Sequence, residues 1–220
     1  MTLTLDPAAT LAPSDVIDSD HPEVVATARR VVGDATAEAD RAARLFTWVR
    51  DEIRYDMAPD LAARADWAAS ATLQRGYGFC QQKAVALAAL LRAVGIPAGL
   101  AFQDLLDHKI PAHYVAFLGS QRMVVHGLTV ARVDGVWQRL DAALDSGLCD
   151  RKGYRVVTYQ PGRDCLLPAT DRAGAPHFEV LEELGTHPDL PDEIVTRTLG
   201  LSYLHDPDYQ RMARRHGPHP

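Results

Sequence analysis

The segment that runs from Cys80 to Gly95-Ile96-Pro97 is the strongest constraint on how this chain can fold. Its polar residues fall near its two ends, at 81–83 and at Arg92, and the residues between them are apolar. A helix that is apolar on nearly all sides is a buried helix. The glycine suits the position just after a helix, and the proline cannot continue one. We therefore expect a central helix that begins at Cys80 and is enclosed by the rest of the chain.

The position of Cys80 at the start of this helix has chemical consequences. A thiol in the first helical turn faces unpaired backbone N–H groups and the positive end of the helix dipole, and both favour the thiolate. His126 and Asp141 follow in that order on a predicted hairpin. The three side chains together predict a Cys-His-Asp site for acyl transfer through a thioester.

Helices are expected to precede Cys80, and strands to follow it. Asp20 and Thr36 are candidate N-caps for helices that run to about Val32 and Tyr55, and a short helix is expected around Leu61–Ala69. Period-2 patterns then predict strands at Ala98–Gln103, His113–Leu118, Arg122–Val133, Val136–Leu140 and Tyr154–Tyr159. Helices followed by antiparallel strands indicate an α+β domain.

Three segments are expected along the chain. Residues 1–18 lack periodicity and are predicted to form a loose, flexible arm. Residues 19–160 would form the catalytic core, and residues 161–220 an extension that packs on it. Within the extension, a helix is expected near Pro191–Leu199 and a polar tail from His205.

The hairpin makes a prediction about register. Asp134-Gly135 is a strong two-residue turn signal, so Val133 should pair with Val136. Asp141 then faces Leu128, and His126 lies two residues further along on the same face. Diagonal neighbours of this kind are roughly 7–8 Å apart at the backbone, within reach of a carboxylate–imidazole contact. A one-residue bulge in this hairpin would place Asp141 on the opposite face.

Composition excludes several function classes. The net charge of −6 disfavours nucleic acid or an anionic membrane as a general partner. The longest apolar run, Ala84–Leu91, is far shorter than the roughly 20 residues of a membrane span. With no basic segment at the start, a secretory signal is not expected, and the predicted location is cytoplasmic. The cysteines lack zinc-ligand spacing; Cys149 and Cys165 are predicted to be half-buried small residues, although a bridge between them stays open.

The chain resembles the transglutaminase-like superfamily of papain-like thiol enzymes between about Ala71 and Ala142. The matching elements are Thr72-Leu73, Gly78-Phe79-Cys80, Ala88–Ala93, Gly95–Ala98, His126, Gly135-Val136-Trp137 and Leu140-Asp141. It departs from many relatives at Leu128, where they have an aromatic residue, and at Ala142, where they have proline.

The resemblance implies a papain-like core, with Cys80 as nucleophile, His126 as general base and acid, and Asp141 as the group that orients the imidazole. No cofactor is expected, and no metal dependence, since the sequence contains no obvious oxygen-rich calcium loop. The backbone N–H of Cys80 is the first candidate for holding the oxyanion. Gln74 lies six residues before the cysteine, where papain-like proteases place a glutamine for this purpose, and Trp67 and Tyr77 are alternative donors.

Alternatives stay open at this point. His113 is a rival for His126, although no aspartate follows it at hairpin distance, and His108 with His113 could share a metal with Asp104 or Asp107. The expected substrate is a peptide, a protein side-chain amide or a small amide, with water or an amine as acceptor. Two other functions compete with this one. The protein could be a non-catalytic peptide- or protein-binding module on the same fold, or an acyltransferase that takes its acyl group from a small thioester.

Overall fold

The computed structural model describes residues 5–59 and 61–216, with side chains as far as residue 214. Helices pack on a curled antiparallel sheet, so the fold is α+β as the sequence predicted. The helices are α1 Pro22–Val32, α2 Glu38–Glu52, α3 Ala69–Arg75, α4 Cys80–Ala93, α5 Ala112–Leu118, α6 Ser146–Lys152, α7 Asp192–Leu199 and α8 Pro207–His216, with 3₁₀ turns at Arg64–Trp67 and Ser202–His205. The strands are β1 Arg54–Tyr55, β2 Tyr77–Gly78, β3 Ala98–Asp107, β4 Arg122–Val133, β5 Val136–Leu140 and β6 Phe178–His187.

Helix α4 runs through the centre of the core, and its predicted start at Cys80 is confirmed. Every residue from Cys80 to Arg92 is buried. Helices α1, α2 and α3 contact it on one side, and β3 and β4 on the other. Gly95, just beyond the helix, has φ +81°, a left-handed conformation that glycine adopts at no steric cost. The helix is therefore the frame on which the other elements are placed.

The polar residues of α4 are buried as well, because they bind backbone carbonyls of surrounding segments. Arg92 donates from Nε to the carbonyl of Ala98 at 2.8 Å and from its other nitrogens to the carbonyls of Ala12 and Pro188. The contact with Ala12 anchors the segment 5–18, in which Val16 and Ile17 are fully buried. The prediction of a loose arm is therefore wrong for the described residues 5–18, which pack on the core.

Lys83 is the most unusual of these buried groups. Its ammonium donates to the carbonyl of Arg50 at 2.9 Å and to that of Ile53. Burial lowers the pKa of Lys83 to about 7, against the opposing effect of the carboxylates of Asp145 and Asp51. In the unfolded chain the pKa of a lysine is near 10.4. At pH values between the folded and the unfolded pKa of Lys83, the unfolded state therefore binds more protons than the folded state.

This difference predicts how stability depends on pH. We compare the free energy of unfolding of the wild-type protein with that of Lys83→Met. The difference between them should rise by about 2–3 kcal/mol from pH 7.5 to pH 9.5, because over these two pH units the unfolded wild-type chain binds roughly one proton more than the folded protein. Urea denaturation at the two pH values measures this. Lys152→Met, at an exposed position of α6, is the matched control and should show no such rise. Parallel curves for all three proteins would contradict the assignment.

The main sheet has the order β5-β4-β3-β6, and its neighbouring strands are antiparallel. The predicted hairpin is confirmed: Val133 pairs with Val136, and the ladder continues without a shift to Thr129 and Leu140. Asp141 directly follows Leu140, so it lies at the end of the hairpin, close to Leu128. The β4–β5 ladder contains no one-residue bulge, which would have placed Asp141 on the opposite face of the sheet.

Two predicted strands are wrong. Residues 112–118 form α5 instead, which begins after Pro111 and ends at Gly119, where φ is +70°. Residues 154–159 belong to no helix or strand; Arg50 donates to the carbonyl of Val157 at 2.7 Å. The fourth strand of the sheet is β6, which lies within the segment that the sequence assigned to an extension.

The prediction of a polar tail from His205 is also wrong, because α8 packs on the protein. Tyr209 and Ala213 are fully buried, and the Tyr209 hydroxyl donates to the carbonyl of Met57 at 2.8 Å. The predicted helix near Pro191–Leu199 is present as α7. Within residues 5–59 and 61–216, the helices are too short or too polar to cross a bilayer.

Candidate active site

Cys80 is the first residue of α4 and is only 7% exposed. The first bond of the helix is donated by the Lys83 N–H to the carbonyl of Phe79 at 3.0 Å. The N–H groups of residues 80–82 therefore precede the helical ladder, at the positive end of the helix dipole. This is the environment in which a thiolate and a developing oxyanion are both stabilised.

His126 and Asp141 lie together, as the hairpin register predicted. His126 Nε2 is 2.7 Å from Asp141 Oδ2, and both side chains are buried. The other carboxylate oxygen of Asp141 accepts the N–H of Ala143 at 3.1 Å, and the Asp141 N–H donates to the carbonyl of Cys165 at 2.8 Å. These two hydrogen bonds fix the position of Asp141 independently of its contact with the imidazole.

The Cys80 side chain lies close enough to the His126 imidazole to influence its charge. Burial opposes the charged ring, but the interactions with Asp141 and with the Cys80 side chain raise the pKa of His126 to about 10. The imidazolium is therefore the favoured form at neutral pH when the thiolate faces it.

The other two cysteines differ from Cys80. Cys149 and Cys165 are buried and free, so the bridge between them is not formed. Burial raises the pKa of Cys149 to about 11, with a further contribution from Asp145, and burial also raises the pKa of Cys165. Both are therefore thiols at neutral pH, buried more completely than the half-burial predicted.

The side chains predicted to hold the oxyanion are not among those that line the cavity with Cys80. Trp67 is fully buried, and its indole N–H donates to Gln81 Oε1 at 3.0 Å, so this donor is already used. Gln74 is exposed on α3. Tyr77 is half-buried in β2, with the Arg54 guanidinium 5.2 Å above its ring. The backbone N–H of Cys80 remains the candidate donor.

Gln81 is a site residue that the sequence analysis missed. Strand β4 crosses α4 so closely at this point that a Cβ on Gly127 would come within 2.9 Å of the Gln81 Cα. Only glycine allows this approach, which brings the neighbours Cys80 and His126 together. The glycine directly after His126 is the sequence signal that could have indicated the contact.

Two adjoining cavities meet at the imidazole. The larger, of about 400 Å³, is lined by Tyr55, Met57, Met123 and His126 together with apolar side chains of α5, α6 and β6. The smaller, of about 30 Å³, shares these four residues and contains Cys80. It is also lined by the C-terminal cover, which we define as residues 201–209; the contributing side chains are Leu201, Tyr203, Leu204 and Tyr209.

The rival histidine and the metal alternative find no support in the geometry. His113 lines the larger cavity, but it lies exposed on α5 with its ring 4.7 Å from that of Tyr114. Asp104 pairs with Arg122 at 2.5 Å. Within the part of the chain that the structure describes, no three metal-binding side chains are grouped around a common point.

A thiol at the start of a buried helix, set against an antiparallel sheet that carries an imidazole and a carboxylate, defines the papain-like class of thiol-enzyme folds. The model of the transglutaminase-like superfamily matches residues 25–142, more than half of the chain. The chain belongs to this superfamily, as the motifs around Cys80, His126 and Asp141 predicted.

Two solved structures are similar to the chain. A candidate cysteine protease from Cytophaga hutchinsonii is 19% identical, with 84% of this chain and 55% of that one covered and a TM-score of 0.48. A candidate protease from Parabacteroides distasonis is 17% identical, with 63% and 26% covered and a TM-score of 0.41. The chain thus spans about half the length of the first and about a quarter of the second. No match was found among curated proteins.

Proposed function

We propose that this protein is a thiol enzyme that transfers or hydrolyses acyl groups through a thioester on Cys80. The observation that carries the proposal is the position of the His126 imidazole, which is 2.7 Å from Asp141 on one side and interacts with the Cys80 side chain at the start of α4. A binding module would gain nothing from burying this set of titratable groups, since each buried polar group is costly unless it is paired. The set is paired in the order that nucleophilic catalysis requires.

The proposed reaction begins with attack of the Cys80 thiolate on an amide or ester carbonyl carbon. The carbonyl π electrons move to oxygen, and the Cys80 N–H stabilises the resulting oxyanion. When the carbonyl reforms, the C–N or C–O bond breaks, and the His126 imidazolium gives its proton to the leaving group. The product is a thioester on Cys80 and a neutral imidazole.

The second half returns the site to its starting state. Water or an amine gives a proton to His126 as it attacks the thioester carbon, and the C–S bond breaks to release the thiolate. Asp141 holds the ring in one orientation and stabilises its charged form in both halves. Water as acceptor makes the protein an amidase or peptidase, and an amine makes it a transamidase.

The larger cavity indicates which substrates fit. Its walls are mostly apolar, with Leu105, Ile110 and Leu148 among them, and it opens beside His126. Cavities of this size bind drug-sized or side-chain-sized groups. The substrate we propose is therefore a peptide, a protein side-chain amide or a small amide with an apolar group next to the reacting carbonyl.

Alkylation at acidic pH tests the activation of the thiol. Because an imidazolium faces Cys80, we expect iodoacetamide at pH 6 to label it at least ~100-fold faster than Cys149 or Cys165. Peptide mapping by mass spectrometry measures all three rates in one sample. Equal, slow labelling of the three cysteines would contradict the proposal and favour the binding module.

A further inference from the structure

Strand β4 has a bulge directly before His126. The pairs Gln103–His126 and Leu105–Met123 flank it, so two residues of β4, Val124 and Val125, lie opposite one residue of β3. Val125 has φ +57°. A β-branched residue rarely adopts this left-handed conformation, so the surrounding structure must impose it. Bulges next to active sites commonly redirect a side chain.

Two buried side chains hold Val125 from opposite ends of the residue. Asp104, the β3 residue opposite the bulge, accepts the Val125 N–H on Oδ1 at 2.7 Å. Gln81 donates from Nε2 to the Val125 carbonyl at 2.8 Å. That carbonyl belongs to the peptide plane that continues into His126, so fixing its direction also fixes the position from which the imidazole extends.

Each of the two holding groups is itself fixed. Asp104 is fully buried; its Oδ2 accepts from Arg122 Nη2 at 2.5 Å, and Arg197 Nη2 of α7 is 3.8 Å away. Gln81 accepts the indole N–H of Trp67 at 3.0 Å and donates to the Thr198 hydroxyl at 2.8 Å. The network therefore joins α4, β3, β4 and α7 at the bulge.

We propose that Asp104 and Gln81 are positioning residues, which impose the bulge at Val125 and thereby aim the His126 imidazole at Cys80 and Asp141 together. The inference rests on the proposed function only for the role of His126. Neither residue touches the reacting atoms. Their effect is on the orientation of the ring and on the stability of the thiolate–imidazolium pair.

The test compares Asp104→Ala with Asp104→Asn, which keeps an oxygen that can accept the Val125 N–H. We expect Asp104→Ala to slow the pH 6 alkylation of Cys80 about tenfold, the equivalent of one unit in the protonation constant of the pair. Asp104→Asn should retain most of the rate. The double variant Asp104→Ala/Val125→Gly should recover part of it, because glycine adopts positive φ without help from a carboxylate.

Asp164→Ala is the matched control. Asp164 accepts the backbone N–H of Arg139 at 2.7 Å and pairs with the same arginine, so it makes the same kind of contact to β5, away from His126. We expect the alkylation rate of Cys80 to be unchanged in this variant. Circular dichroism melts confirm that each variant is folded before its rate is compared.

A second readout does not require the thiol to react. The pH titration of the His126 ring nitrogens, followed by 15N NMR, should shift in Asp104→Ala and stay close to wild type in Asp104→Asn. A folded Asp104→Ala protein with an unchanged rate and unchanged ring titration overturns the positioning role. The positioning role is also overturned if Asp104→Ala slows the alkylation of Cys80 but the added Val125→Gly substitution does not raise the rate again. Wild-type Cys80 that labels no faster than Cys149 contradicts the proposed function instead, and the ring titration still decides the positioning role.

Discussion

Replacing Cys80 with alanine is expected to abolish covalent trapping and turnover. Incubation of the wild-type protein with peptides, amides and thioesters that carry an apolar group should add the acyl mass to one residue, Cys80. Without the sulfur no thioester forms, and the rate should fall by about 10⁴-fold or more, the scale seen when an enzyme loses its nucleophile. Intact-mass spectrometry followed by peptide mapping measures the adduct.

Cys149→Ala and Cys165→Ala are the matched controls, since both remove a buried free thiol of the same chain. They should leave the adduct in place, although each leaves a small cavity that lowers stability. An adduct that persists in Cys80→Ala would show that another residue is the nucleophile. An adduct formed only with small thioesters, and not with amides, would favour the acyltransferase.

Removing the imidazole should have the next largest effect. Proton transfer by a positioned side chain contributes about 10²–10⁴-fold, so we expect His126→Ala to slow thioester formation from an amide by that factor. The loss should be greatest near pH 6, because the raised pKa of His126 maintains the thiolate–imidazolium pair there. Rapid-quench measurement of the acyl adduct from pH 5 to 9 gives the profile.

His113→Ala provides the comparison, because His113 lines the same cavity from the exposed surface of α5. It should change substrate binding more than the rate of the chemical step. Loss of trapping in His113→Ala with trapping intact in His126→Ala would reverse the assignment. Asp141→Asn should slow the reaction less than His126→Ala, since the ring remains but its charged form loses the negative charge 2.7 Å away.

The parts of the site that the sequence predicted are those fixed by local rules. The apolar composition of α4 determined that it is buried, and its flanking residues determined where it begins and ends. The Asp134-Gly135 turn determined the register, and the register placed Asp141 beside His126. Each inference needed only the spacing of residues along one element or one hairpin.

The errors came from contacts between distant segments. Tyr114, Val115 and Phe117 gave residues 112–118 the composition of a strand, but Pro111 and Gly119 flank a helix that packs on α8. Strand β6 alternates poorly because most of it is exposed at a sheet edge, where charged residues are common. The segment 5–18 lacks a strong pattern of its own, and α8 is amphipathic but polar on average, so its few apolar residues read as a polar tail. Both are ordered by the surfaces they cover.

The network behind His126 was beyond sequence reasoning for a related reason. A bulge changes the pairing of two strands by one residue, and nothing in the pattern of β3 or β4 alone shows where it falls. In the sequence, Asp104 is one of three polar residues in a mostly apolar strand. The backbone N–H that it accepts lies 21 positions further along the chain. Only the assembled sheet reveals that this carboxylate is satisfied by the bulge.

The C-terminal cover has a consequence for the size of the molecules that can react. Leu201, Tyr203, Leu204 and Tyr209 line the small cavity that contains Cys80, and the cysteine itself is only 7% exposed. If the proposed function is correct, a reacting carbonyl must fit into a confined space to meet the sulfur. We therefore expect extended chain ends, protruding glutamine or asparagine side chains and small molecules to react faster than groups on a flat, folded protein surface.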